Sequence, residues 1–116
     1  MKPSTAILLL LACVVAADAF AADKPPQFWN LTTSTVTKLE ISKAGVNAFE
    51  SNQTVNDPDG AVEHDERLKI TGVESGVYDL RLTLKDGRTC FARNVHILLG
   101  KAFTIEDKDL KDCSNR

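Results

Sequence analysis

Between residues 78 and 84 apolar and polar side chains alternate without a slip. Tyr78, Leu80, Leu82 and Leu84 fall on one side, and Asp79, Arg81 and Thr83 on the other. A period of two over that length predicts a strand with one buried face. The following KDGR places Asp86-Gly87, a strong short hairpin signal, before a return strand from Arg88 to about Leu98, which Gly100 breaks. If Gly87 belongs to a three-residue loop with a bulge, Leu84 lies opposite Arg88 and Leu82 opposite Cys90. Cys90 and Ala92 then turn inward beside the leucines. A two-residue loop would bring Phe91 and Arg93 to that face, and burying an unpaired arginine is the worse outcome.

The rest of the chain is read the same way. FWNLTTSTVTKLEIS, residues 28–42, is β-branched and aromatic and predicts two short strands hinged at residues 32–35. In the second, Thr37, Leu39 and Ile41 alternate with Lys38 and Glu40. RLKITGV predicts a strand on Leu68 and Ile70, with Gly72 and Gly76 bracketing a turn, and KAFTIE predicts a last strand on Phe103 and Ile105. Residues 43–66 lose the pattern. With two glycines, a proline and many polar residues they predict a long loop, functional or mobile, in which Val46, Phe49 and Val62 are the apolar tie points. Its backbone has no evident ladder partners, so it is expected to be less protected from amide exchange than the hairpin. No window has the period of an amphipathic helix, and the polar DKDLKDCSNR tail has room for one helical turn.

Short strands with frequent turn signals and no helix give an all-β domain over residues 28–116, a small antiparallel β-sandwich that is immunoglobulin-like in the broad sense. ADKPPQ predicts an extended linker over residues 22–27. Trp29 stands too near the start to be the inward tryptophan of antibody domains, so the likeness is one of architecture.

The first residues change the picture of where the domain works. One charge at Lys2, an apolar run over residues 6–17 and small residues at Ala19 and Ala21 are the plan of a cleaved signal peptide, residues 1–21, cut between Ala21 and Ala22. The run is shorter than the roughly 20 residues of a spanning helix, which argues against a transmembrane anchor. LLAC offers the alternative of lipid attachment at Cys13, though it would leave a very short leader. The expected location is periplasmic or secreted. Two cysteines then survive in a mature chain of 95 residues, and Cys90 with Cys113 reads as one disulfide. Fourteen Lys and Arg against sixteen Asp and Glu leave a net charge of −2, with no basic excess to neutralise nucleic acid phosphates.

NLTTSTVTKLEIS, GVYDLRLTLKDGR and the following NVHI resemble a family of small exported bacterial proteins, largely uncharacterised, with an N-x-T-x-x-T-[IV] opening strand and a YDLR…DGR hairpin. The likeness rests on Tyr78, Asp79, Leu80, Arg81, Asp86, Gly87 and Arg88 and covers about a third of the mature chain. It implies a sandwich fold and export and carries no activity. The family's cysteine pair would fall at Val77 and Leu98 here, so this chain's pair lies elsewhere.

Candidate chemistry is sparse. DPDGAVEHDE sets Asp57, Asp59, Gly60 and Glu66 at the third, fifth, sixth and twelfth positions of a calcium loop, but Val55 at the first has no oxygen to give and no helix flanks it. Asp57, Asp59, Glu63, Asp65 and Glu66 are therefore at most a weak cation loop, and otherwise a solvated acidic turn. His64 and His96 are the only histidines, too few for a zinc site without distant cysteines, and His96 is expected on a solvent-facing strand position. Ser75 beside Gly76 is the nearest approach to a nucleophile turn and has no base assigned to it. Asn30 and Asn52 open N-x-T acceptor sequences, relevant only where the host glycosylates. No cofactor, metal or catalytic group is expected. The composition points to an exported binding or envelope-associated protein with a protein partner; the alternatives are an inhibitor or accessory subunit of a secreted enzyme, or an unrecognised small hydrolase.

Overall fold

A computed structural model of the protein describes residues 24–115. The signal peptide of residues 1–21, the cleavage at Ala21 and Ala22 and the alternative at Cys13 lie outside the described residues. Within them the chain forms β1 (Gln27–Leu31), β2 (Val36–Lys43), β3 (Arg67–Lys69), β4 (Gly76–Leu84), β5 (Thr89–Ile97), β6 (Ala102–Glu106) and β7 (Lys111–Ser114), with two 3-10 turns at Gln53–Asn56 and Asp107–Asp109. The strands make two facing sheets, ordered β3-β1-β6 and β2-β4-β5-β7, so the all-β sandwich expected from the alternation is the observed fold.

The core is built by the strict alternation. Tyr78, Leu80, Leu82 and Leu84 are buried on the inner face of β4, and Leu82 pairs with Leu39 of β2 on one side and Cys90 of β5 on the other. Opposite them Phe28, Leu68, Phe103 and Ile105 point inward from the smaller sheet, where the Phe28 and Phe103 rings lie 5.9 Å apart. Each such side chain contributes about 1.5 to 3 kcal/mol by leaving water.

The β4–β5 hairpin has the three-residue register. Leu84 N–H donates to the Arg88 carbonyl at 2.8 Å, Gly87 N–H donates to the Leu84 carbonyl at 2.9 Å, and Gly87 sits at φ 96°, a left-handed conformation that glycine adopts without strain. Cys90 and Ala92 are consequently buried.

Four features differ from the sequence reading. A register shift between Val36 and Lys38 makes Val36, rather than Thr37, the buried neighbour of Leu39, and Thr37 instead donates its hydroxyl to the Thr83 carbonyl. β1 and β6 pair in parallel, where an antiparallel arrangement was expected throughout, and β1 lies in the centre of the smaller sheet. Pro26 is buried and its carbonyl accepts from Ile70 N–H, so the ordered sheet begins before Phe28. Finally, the polar tail forms β7 along the first part of β5, with Leu110 packed against the core ahead of it. Its bond between Cys113 and Cys90 holds an otherwise exposed strand to the sheet.

Candidate functional site

Residues 43–66, unpatterned in sequence, are a strap rather than a free loop. After β2 the chain turns back over the outer face of the larger sheet. Gly45 and Asn47 adopt positive φ of 79° and 58°, and Ala48 N–H donates to the Ser42 hydroxyl. Phe49 packs on Phe91 with centroids 5.8 Å apart, and the Arg81 guanidinium, paired with Glu40 at 2.9 Å, stacks on the Phe49 ring. The chain then rounds the edge of β2. Asn52 accepts from Leu39 N–H, from Thr54 N–H and from the Thr54 hydroxyl, thereby capping the 3-10 turn.

From that turn two amides reach the other sheet. Gln53 bonds Thr71 through both its oxygen and its nitrogen, and Asn56 donates to the Lys69 carbonyl. Val62 completes the strap as a buried bridge to Val36. The backbone partners that the sequence did not suggest are thus side-chain amides together with scattered main-chain bonds: Glu50 N–H to the Ile41 carbonyl, the Val36–Val62 bridge, and Asp65 N–H to the Asn30 carbonyl. Of the three apolar tie points, Val62 is buried and Phe49 half-buried, whereas Val46 is 60% exposed and ties nothing down.

The same Asn-x-Thr device appears after β1. Asn30 is fully buried, accepts from Thr32 N–H and from its hydroxyl, and donates to the Ser34 and Val62 carbonyls. Both N-x-T sequences therefore hold turns, and their asparagine oxygens are engaged.

Between the strap and residues 71–78 lies an open groove of about 1200 Å³ at the end of the sandwich where β2 finishes and β4 starts. The second wall is fixed by Tyr78, whose hydroxyl donates to the Glu74 carbonyl, and by Ser75, whose hydroxyl accepts from Leu99 N–H. Ser75 thus staples a turn, and neither histidine is among its hydrogen-bond partners. Gly76 leaves room for the Tyr78 ring, since a Cβ there would lie 3.3 Å from its edge. Among the described residues the large apolar side chains left exposed are Val46, Val55, Val77 and Leu98, and the three valines all line this groove. Val55, on the 3-10 turn, is 76% exposed.

Asp79 sets one wall in place. It lies on the outer face of β4 as the alternation requires, yet it is only 3% exposed, because β5 bulges opposite it and the Gly45 turn covers it. Its carboxylate accepts from Gly45 N–H and Asn94 N–H, each at 3.0 Å, with the Arg93 guanidinium at 3.5 Å. Burial pushes its pKa up, but the Gly45 and Asn94 amides and the Arg93 charge together outweigh burial and hold it below the usual carboxylate value. A depressed folded-state pKa means a contribution that is complete above the unfolded-state value and lost as pH falls through the folded one. The groove wall is therefore fixed at neutral pH and loosens only as pH falls below the usual carboxylate value. Asp79→Asn turns one acceptor into a donor facing an N–H, and should cost about 1.5 kcal/mol at neutral pH. The cost should vanish below the folded-state pKa, as denaturant midpoints measured against pH would show. An aspartate in the middle of an apolar strand, where that residue is depleted, was the available sign.

The acidic turn spends its carboxylates locally. Asp57 accepts from Asp59 N–H, Asp59 from Ala61 N–H, Glu66 from Glu63 N–H, and Asp65 from the Trp29 indole. His64 Nδ1 lies 2.8 Å from the Thr32 carbonyl, and His96 is exposed on β5 across from Val77. Among the described residues no three His, Cys, Asp or Glu side chains gather as they would around a metal ion. No family model, curated protein or solved structure matches the chain.

Proposed function

We propose that this protein is an exported, non-enzymatic binding module and that its protein partner seats in the valine-lined groove. The observation that carries the reading is the gathering of Val46, Val55 and Val77 on one concave surface. Apolar side chains left in water on supports anchored to a rigid sheet are the usual makings of an interaction site. Export is supported by the Cys90–Cys113 disulfide, a bond that persists in oxidising compartments, and by the leader pattern. No helix among the described residues is long and apolar enough to cross a membrane. Membership of the small exported bacterial sandwiches is part of the proposal; Asp79 and Gly87, two residues of that resemblance, hold the groove wall and the hairpin loop.

A second reading, an inhibitor or accessory subunit of a secreted enzyme, draws on Val46, which is presented at the tip of a turn held by Asp79. Both readings are tested by capture from periplasmic extract with the wild-type protein and with Val46→Asp and Val55→Asp, changes at exposed positions that leave the core intact. The wild type should retain a stoichiometric partner, and each variant should bind it at least about tenfold more weakly, or 1.4 kcal/mol. Equal capture by both variants would place the contact elsewhere on the molecule and remove the groove from the proposal.

A further inference from the structure

The sandwich has four sheet edges, and three of them are blunted. The β2 edge is covered by Asn52 and the Val62 bridge, and the β3 edge by the Gln53 and Asn56 amides. The β7 edge is broken by a register irregularity, by the positive φ of Asp112 at 51° and by the charges of Lys111 and Asp112. These are the ordinary devices that keep a strand edge from pairing with another chain.

β6 has few of them. It is five residues of regular strand with no bulge, proline or lysine, and its only charge, Glu106, stands at the end. Gln27 N–H donates to the Lys101 carbonyl, which fixes the phase of the parallel ladder. Phe103 and Ile105 bond to β1, while Ala102, Thr104 and Glu106 turn their backbone groups away from it. Asp109 caps Glu106 N–H at 2.8 Å. Ala102 and Thr104 are exposed, and Thr104 borders an open cleft of about 550 Å³ beside β5.

We infer that β6 pairs with β6 of a second copy of this chain, antiparallel about a two-fold axis at Thr104, joining the two three-stranded sheets into one of six strands. The residues of the strand suit a copy of itself. Thr104 meets Thr104 and exchanges both main-chain bonds, Ala102 meets Glu106, and no like charges oppose each other. Lys101 at the start of each strand comes beside Glu106 and Asp107 at the end of the other, a charge match that a two-fold arrangement makes twice. Main-chain bonds at Thr104 and from Ala102 N–H to the Glu106 carbonyl supply the attraction, the Glu106 N–H staying with Asp109, and the end charges fix the register. Because the paired strands run in opposite directions, the two valine grooves face opposite ways. The dimer itself does not depend on what those grooves bind.

The test is sedimentation of the exported, disulfide-bonded protein across the micromolar range, with Thr104→Lys, Thr104→Pro and Val55→Lys beside the wild type. Thr104 N–H makes no bond inside the protomer, so neither change there removes one, and a thermal midpoint within about 2 °C of wild type would confirm that folding is intact. The wild type and Val55→Lys should sediment with twice the protomer mass, and both Thr104 variants with the protomer mass. A monomeric wild type overturns the inference. So does a dimer that survives Thr104→Lys, or one that Val55→Lys dissociates, since the contact would then be the groove.

Discussion

Leu82→Ala should lower the stability of this domain by about 2 to 5 kcal/mol, the cost of a fully buried leucine replaced by a cavity. Leu82 is wholly inaccessible and sits in the row Leu39, Leu82, Cys90 across three strands of the larger sheet, so no neighbour can close over the space without moving a strand. Thr83, the next residue, is half-buried on the opposite face, and its backbone carbonyl rather than its hydroxyl takes the bond from Thr37. Thr83→Ala should therefore stay within about 0.5 kcal/mol of wild type. Urea midpoints for the two variants decide the matter. Equal shifts would mean that the faces of β4 are wrongly assigned and with them the whole hairpin register.

Losing the Cys90–Cys113 bond should cost about 3 kcal/mol, because the crosslink closes a loop over 23 residues and that closure is removed from the unfolded ensemble. The informative variant is Cys113→Ser. Cys113 lies on exposed β7 whereas Cys90 belongs to the core, so replacing Cys113 leaves the packing untouched. A fall in the unfolding midpoint should be accompanied by fast amide exchange across Lys111–Ser114, since once the sulfur bond is gone that strand has only Leu110 and a short, irregular ladder to β5 to hold it. The remaining Cys90 thiol should resist alkylation until the protein unfolds, being buried as completely as the leucines beside it. A Cys113→Ser protein with an unchanged midpoint would show that β7 is held by its ladder alone.

The strands around the core were legible because burial of one sheet face writes a period of two directly into the residues, and a turn such as Asp86-Gly87 carries its conformation with it. That local information sufficed for the β4–β5 hairpin, for the inward cysteine, for the strands on Leu68 and on Phe103, and for the sandwich. It did not extend to edges. Asn52, Gln53 and Asn56 read as a polar loop because a side-chain amide that replaces a ladder partner leaves no periodic trace, and only folding brings Leu39, Thr71 and Lys69 within its reach. β7 was missed for a related reason: a strand exposed on both faces needs no apolar alternation, and a crosslink supplies what burial does not.

The candidate site divides in the same way. Val46 reads only as a tie point of the loop, and Val55 and Val77 carry no sequence signal of a site; the three are separated by up to 31 positions, and each alone would be an ordinary surface valine. Their meeting on one groove follows from how the strap crosses between the sheets, and Asp79 gains its importance from an amide 34 residues away. What the sequence determined by itself was therefore everything that a residue's own neighbours can enforce, namely strand phase, turn type and which faces seek the interior. The tertiary structure alone decided which distant backbone groups would satisfy one another and which apolar side chains would be left together in water. Those outcomes depend on the relative placement of whole strands, which no local pattern encodes.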